Sequence, residues 1–150
     1  MRRIICFIIL IGLLGLFSAC SSSKLVVSNS IDVDQYEYVV FGSESTGDSG
    51  LDDIMMLVTN EITNTRLKNI SKWDASNLPT VAKILSPRIN ITTQYWDGGH
   101  TYITISFYDY YTNEQVVVIK SSGIGLSISH DQSLALNAIR KKLQELFGEK

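Results

Sequence analysis

Two stretches in the second half of the chain alternate apolar and polar side chains with the period of a β-strand. They are Arg88–Trp96 and Thr101–Tyr110, and Asp97–His100 between them has the composition of a hairpin turn. The apolar positions of the two stretches are Ile89, Ile91, Ile103, Ile105 and Phe107. The pattern therefore predicts an antiparallel hairpin with one apolar face.

The length of the hairpin loop decides which side chains share a face. A two-residue loop at Gly98–Gly99 places the isoleucines of the two strands on opposite faces, whereas a three-residue loop at Gly98–His100 places them on one face. Because a sheet buries a single apolar face, we predict the three-residue loop. The outer face of the hairpin then consists of Asn90, Thr92, Gln94, Trp96, Tyr102, Thr104, Ser106 and Tyr108.

Two other stretches have the helical period. Apolar side chains recur at three- and four-residue intervals over Leu51–Thr65, and Ser49–Asp52 has the spacing of a capping box. A similar apolar stripe runs from about Asp131 to Phe147, preceded by a second capping-box spacing at Ser129–Gln132. We predict one helix over each stretch.

Two further strands are predicted from β-forming residues, at Tyr36–Phe41 and Gln115–Lys120. The second is apolar on both faces, which favours an inner strand, and Asn113 before it suits a left-handed turn position. The stretch between the first helix and the hairpin stays open. Residues 67–70 there fit a short strand, and residues 78–85 fit a short helix or a turn.

The order of these elements predicts an α+β fold. We expect a two-layer sandwich in which a mostly antiparallel, four-stranded sheet carries two helices on one face. Residues 35–150 suffice for one domain of this kind. Residues 20–34 are rich in serine and are predicted to form a flexible tether, which reaches on the order of 20 Å.

The first 20 residues have a composition of their own. Fifteen are apolar, and Arg2 and Arg3 precede the apolar run, as in a secretory signal peptide. Phe17–Cys20 resembles the lipobox of bacterial lipoproteins. The resemblance implies that residues 1–19 are cleaved off and that Cys20 is lipidated, whereas the alternative is a signal segment with an unmodified cysteine. Ser21 resembles the residue that follows the cysteine in outer-membrane lipoproteins.

Charge and cysteine content narrow the function classes. Removing Arg2 and Arg3 with the signal segment leaves 11 basic against 15 acidic residues, so the formal net charge changes from −2 to −4. A general nucleic-acid binder needs a basic surface, and that class is therefore excluded. The other cysteine, Cys6, lies in the signal segment, so we expect no disulfide in the domain.

A strand of the form Ile-Ser-Phe-Tyr-Asp at 105–109, followed by Thr112 and Asn113, precedes a valine-rich strand and a final amphipathic helix. Together with the lipoprotein signal, this order resembles the DUF4136-like bacterial lipoproteins, over about residues 36–147. The resemblance implies a βαβββα-type domain in the cell envelope. It implies no enzymatic activity and transfers no site residues.

Residues with catalytic or ligand-binding chemistry are few. His100 and His130 are the only histidines, and we expect no metal and no cofactor. The carboxylates of Asp32–Glu37 are spaced partly like a calcium loop, but a solvated segment explains them more simply. Gly123–Gly125 fits either a phosphate-binding loop or a plain loop, and the plain loop is favoured. No serine lies in a nucleophile elbow, so we expect no enzyme.

The aromatic residues of the hairpin are the candidate binding site. Trp96, Tyr102, Tyr108 and Tyr110 fall among threonine, asparagine and glutamine, a mixture that stacks on sugar rings or contacts a protein. The alternative is that they stabilise a solvated sheet face or lie under the open stretch. Trp73 in that stretch is interpreted as a packing anchor.

These observations lead to two function hypotheses. The first is a non-enzymatic lipoprotein of the bacterial envelope, held to the outer membrane by its lipid, whose domain binds or scaffolds a protein partner. The second is a glycan-binding lipoprotein that uses the aromatic face. Neither hypothesis involves nucleic acid.

Overall fold

The computed structural model describes residues 20–28, 31–42, 48–94, 100–125 and 127–150. The predicted signal peptide, residues 1–19, and Trp96 lie outside the described residues. The strands are β1 Cys20–Val27, β2 Tyr38–Val39, β3 Lys68–Asn69, β4 Ile84–Gln94, β5 His100–Asp109 and β6 Gln115–Ile124. The helices are α1 Ser49–Thr63, α2 Lys72–Asn77 and α3 Ile128–Phe147, with a 3₁₀ turn at Val33–Gln35.

The described strands form one mixed sheet in the order β1-β6-β5-β4-β2-β3. The α+β class is confirmed, but the predicted four-stranded, mostly antiparallel sheet is corrected to six strands. Only two residues of the predicted strand Tyr36–Phe41 pair in the ladder, and β2 runs parallel to both β3 and β4. Parallel pairing joins segments far apart in the chain, and the local alternation of side chains carries no signal for it.

The N-terminal strand β1 replaces part of the predicted tether over residues 20–34. All eight of its residues pair antiparallel with β6, from Cys20 opposite Ile124 to Val27 opposite Val117. Among the described residues no strand lies beyond β1, so it forms an edge of the sheet. The segment becomes a strand because β6 offers it a backbone ladder and because Leu25 and Val27 pack against the core.

The hairpin of β4 and β5 has the predicted apolar face but another register. Ile91 lies opposite Ile103, whereas the three-residue loop predicts Phe107 as its partner. The last described pair is Gln94 with His100, and residues 95–99 between them lie outside the described residues. The register is shifted by an even number of residues, so the faces are preserved and the isoleucines are still together.

Both long helices pack on the inner face of the sheet, which we define as the face that carries these isoleucines. Helix α1 buries Ile54, Val58 and Ile62 at four-residue intervals, and its N-cap is Asp48 rather than the predicted Ser49. Helix α3 buries a longer stripe and starts three residues before the predicted Asp131, with Ser127 as its N-cap. The main core therefore lies between two helices and the sheet.

A second, smaller core lies on the other side of the sheet. Val40 and Ile84 meet Ala75 of α2 there, and Tyr110 packs against this group. Helix α2 occupies part of the open stretch, where Ser71 and Asp74 form a capping box that the sequence analysis did not identify. Trp73 on α2 is 75% exposed, so the interpretation of this residue as a packing anchor is wrong.

A buried carboxylate fixes the end of β5. The hydroxyl of Tyr36 donates to Oδ2 of Asp109 at 3.0 Å, and the backbone N–H groups of Tyr111 and Thr112 donate to Oδ1 at 3.0 and 2.9 Å. Burial by itself raises the pKa of Asp109, but the N–H of Thr112, the Tyr36 hydroxyl and the N–H of Tyr111 outweigh it and lower the pKa. Burial and the Asp109 charge raise the pKa of Tyr36. The carboxylate therefore joins the N-terminal segment to the turn after β5.

Replacing Asp109 by Asn removes the charge from these hydrogen bonds and is expected to lower the free energy of unfolding by about 1–3 kcal/mol at neutral pH. Because folding lowers the pKa of Asp109, its contribution is present above the ordinary carboxyl value of about 3.9 and is lost as pH falls through the folded-state value. Urea denaturation of both proteins over this pH range measures the difference, which should shrink in acid. The exposed Asp53→Asn variant is the control, and a difference that is independent of pH would contradict the assignment.

Candidate functional site

The candidate site is the outer face of the sheet, the side turned away from α1 and α3. Directly opposed residues of paired strands lie on the same face, so the register assigns every second residue of four strands to it. The outer face consists of Ser86, Arg88, Asn90, Thr92, Gln94, His100, Tyr102, Thr104, Ser106, Tyr108, Gln115, Val118, Lys120, Ser122, Ile124, Cys20, Ser22, Lys24 and Val26.

The charges of the outer face all have one sign. Lys24, Lys120 and Arg88 lie on it, and none of the residues that define it is an Asp or Glu. Lys24 lies directly opposite Lys120 on the neighbouring strand, and both are exposed. Neither lysine has an ion-pair partner among the described residues. Two like charges at this spacing repel each other, so the face attracts anions although the whole chain is acidic.

The described aromatic residues of the predicted binding face, Tyr102, Tyr108 and Tyr110, occupy three different environments. Tyr102 is 40% exposed on the outer face, beside the ring of His100. Tyr108 is on the same face but half-buried, with the guanidinium of Arg88 4.4 Å from its ring centre. Tyr110 is half-buried in the second core, and Trp96 lies outside the described residues. Only Tyr102 therefore presents an open ring in the described part of this face.

The predicted lipidation residue is part of the sheet. Cys20 is the first residue of β1, is exposed and is paired with Ile124. Because side chains alternate along a strand, Cys20 lies on the outer face together with Ser22, Lys24 and Val26, whereas Leu25 and Val27 point to the core. The thiol therefore leaves the sheet on the side away from the two long helices.

The glycines at 123 and 125 pack against α3. Gly123 lies inside β6, and a Cβ at this position would come within 2.0 Å of the carbonyl oxygen of Asp131. The missing side chain lets the first turn of α3 approach the sheet, which explains the glycine without a phosphate. Asp131 itself is fully buried, and its carboxylate has no hydrogen-bond partner among the described residues. Its place in the first turn puts the charge near the positive end of the helix dipole.

The rest of the described residues carry little else with binding chemistry. No three His, Cys, Asp or Glu side chains in this part of the chain are grouped to hold a metal. None of its helices has the length and apolar character needed to cross a membrane. A groove of about 380 Å³ lies beside α1, between its Met55 and Met56 and residues Phe41, Pro87 and Ile89 of the sheet side. The groove is mainly apolar, and the outer face remains the candidate with distinctive chemistry.

The basic residues are what the sequence analysis missed. Arg88 is the first residue of the predicted alternating stretch but was left out of its outer face, and Lys24 lies in the predicted tether, so neither was assigned to a face. One sequence signal could have found Lys120. Side chains alternate along a strand, and because Val117 and Ile119 point to the core, Lys120 points to the opposite face. Their convergence requires the β1–β6 ladder, which joins positions about a hundred residues apart.

Comparison with known proteins gives similarity of fold alone. No protein-family model matches the sequence, and no curated protein is significantly similar to it. The PelC dodecamer from Paraburkholderia phytofirmans has a subunit that aligns with a TM-score of 0.51 and 16% identity, over 87% of this chain and 100% of that chain. A variant PelC dodecamer gives the same values. A PDZ domain protein from Parabacteroides distasonis aligns with a TM-score of 0.51 and 10% identity, over 91% of this chain and 39% of that chain.

Replacing Lys24 by Glu is expected to stabilise the protein, because it turns the repulsion with Lys120 into an attraction. The melting temperature should rise by about 1–3 °C at low ionic strength, and the gain should fade at high salt. Lys141→Glu, on the exposed side of α3, is the matched charge reversal and should not show this gain. A fall in the melting temperature of Lys24→Glu would show that Lys24 has a stabilising anionic neighbour.

Proposed function

We propose that this protein is a non-enzymatic lipoprotein of the bacterial cell envelope, anchored through Cys20, and that its outer face binds an anionic partner. The observation that carries the proposal is the charge of that face. Lys24, Lys120 and Arg88 lie on it without a carboxylate, in a chain with an excess of acidic residues. Charge of one sign on an open surface selects partners of the opposite sign.

The anchor is supported by the sequence and by the position of the cysteine. The apolar segment, the lipobox-like Phe17–Cys20 and the following serine belong together in outer-membrane lipoproteins, which is the location we propose. Cys20 is exposed, as a residue that carries lipid must be. Lipid chains on one residue give a stable anchor because each buried methylene contributes about 0.8 kcal/mol.

The outer face also narrows the two sequence-based hypotheses about the partner. A glycan receptor stacks sugars on open aromatic rings, but the Tyr108 ring is occupied by Arg88 and Tyr110 lies in the second core. Tyr102 with its neighbouring threonines and serines still offers one ring and several hydroxyl groups. We therefore propose that the partner, whether protein or glycan, carries negative charges that Lys24 and Lys120 bind.

The absence of an enzymatic activity is proposed from the environment of the buried Tyr36–Asp109 pair. Tyr36 is 2% exposed and Asp109 is 5% exposed, and the carboxylate is fully engaged by its hydrogen-bond donors. A general acid or base must reach its substrate within hydrogen-bond distance. This pair supports the turn after β5 and is closed to a substrate.

A photocrosslinking side chain in place of Asn90 tests the binding face in living cells. Asn90 is exposed and lies in the same row of the outer face as Thr104, Lys120 and Lys24. We expect an adduct, and mass spectrometry of the adduct identifies it as protein, glycan or lipid. Charge reversal by Lys24→Glu/Lys120→Glu should remove at least about 90% of it, as expected for two lost charge contacts of roughly 1 kcal/mol each.

The control is the same crosslinker with Lys141→Glu/Lys150→Glu, which reverses two charges on the helix side of the molecule and should leave the adduct intact. An adduct that both double variants retain, or no adduct in the unmodified background, would contradict a charge-selective outer face. Because Lys24→Glu/Lys120→Glu replaces one like-charged pair by another, the fold should be as stable as before.

A further inference from the structure

The strand β1 leaves no flexible linker between the lipid-bearing residue and the sheet. Cys20 is itself paired with Ile124, and the ladder continues without a gap to Val27. A strand advances about 3.3 Å per residue, so Lys24 lies only about 13 Å from the anchored residue. The bilayer surface and the outer face must therefore be close to each other whenever Cys20 carries lipid.

The direction of the Cys20 side chain determines which side of the domain the membrane contacts. Cys20 belongs to the outer face, and Leu25 and Val27 on the opposite side of the same strand are packed under the main core. A lipid attached at this thiol enters the bilayer on the outer side. Helices α1 and α3 then lie on the side of the domain away from the membrane.

Exposed apolar side chains accompany the lysines on this side. Ile124, opposite Cys20, is 41% exposed, and Val26 on the same strand is 49% exposed. Tyr102 is exposed in the middle of the face. Tyrosine and aliphatic side chains among lysines are the composition of surfaces that lie in the headgroup region of a bilayer.

Helix α2 adds an exposed tryptophan at the far end of the same side. Its buried residue Ala75 packs against Ile84 and Val40, which places α2 on the outer side of the sheet. Trp73 is two residues earlier, about 200° around the helix from Ala75, and so points away from the sheet. Val81 after α2 is 82% exposed. Tryptophan is enriched at membrane interfaces, where its ring and its N–H are both accommodated.

We infer that the anionic partner of the outer face is the phospholipid surface in which Cys20 is anchored. Lys24 and Lys120 bind the anionic headgroups beside the anchor, and Trp73 enters the interface at the opposite end of the same side. Lys72 lies beside Trp73, and the nearby Asp74 is engaged in the capping box of α2. The inference rests on the proposed lipidation of Cys20 and specifies the partner class that the proposed function leaves open.

The fluorescence of Trp73 in the mature, lipidated full chain tests this orientation. The sequence has two tryptophans, so Trp96→Phe leaves Trp73 as the only one. We expect acrylamide quenching of Trp73 to fall by at least about twofold when the protein is held on vesicles that contain phosphatidylglycerol. On vesicles of phosphatidylcholine alone, the lipid still anchors the protein, but the face has no anionic headgroups to bind. Acrylamide quenching of Trp73 should then stay at the value measured without vesicles.

Two charge-reversed variants and a second probe position complete the experiment. Lys24→Glu/Lys120→Glu should abolish the shielding of Trp73, and Lys141→Glu/Lys150→Glu should preserve it. A single tryptophan at the exposed position 133 of α3, introduced as Ser133→Trp with both natural tryptophans changed to Phe, should be quenched equally on both kinds of vesicle.

The outcomes separate this inference from the proposed function. Flotation of the protein with vesicles in a density gradient measures the anchor separately from the orientation. If the protein floats with both vesicle types but Trp73 is shielded on neither, or equally on both, the membrane-facing orientation is overturned while the anchor is retained. A charge-dependent protein or glycan adduct at Asn90 would then assign the face to a soluble acidic partner. If Cys20→Ala floats as well as the unmodified protein, the lipid anchor fails and the orientation fails with it.

Discussion

The backbone pairing of β1 with β6 is the interaction on which the rest of the structure depends. It makes β6 an inner strand, brings Leu25 and Val27 against the main core, and places Lys24 opposite Lys120. It also makes Cys20, which the sequence analysis predicts as the start of a tether, a member of the sheet. Cys20 is thereby fixed in the sheet, and the candidate binding face and the proposed anchor belong to one surface.

Because side chains alternate along each strand, the sheet has an apolar inner face and a polar, basic outer face. The inner side collects the isoleucines with Phe107, which meets Phe147 of α3 edge-to-face at 5.3 Å between ring centres. The outer side collects hydroxyl groups and basic charge, and at one end the small core under α2. Placing Lys24 opposite Lys120 on the open side costs the repulsion between the two lysines, and an anionic surface removes that cost.

The sequence predicts what local periodicity controls. The two long helices, the hairpin, its apolar face and the left-handed Asn113, with φ of 56°, all follow from the spacing of residues within one element. The strand β1 was not predicted because serine is a poor strand former and its partner lies about a hundred residues away. The parallel pairing of β2 and the exposure of Trp73 depend in the same way on contacts between distant segments. The lipoprotein assignment, the family resemblance and the partner class stay predictions.

Amide hydrogen exchange along β1 of the mature protein tests the central claim that Cys20 belongs to the sheet. The N–H of Ser28 donates to the carbonyl of Val116 at 3.0 Å, so the even-numbered residues of β1 point their N–H groups to β6 and the odd-numbered ones point theirs to the open edge. The amides of Ser22, Lys24 and Val26 should therefore be protected, while those of Ser23 and Leu25 should exchange rapidly. Rapid exchange of all of them, as in a flexible tether, would contradict the claim.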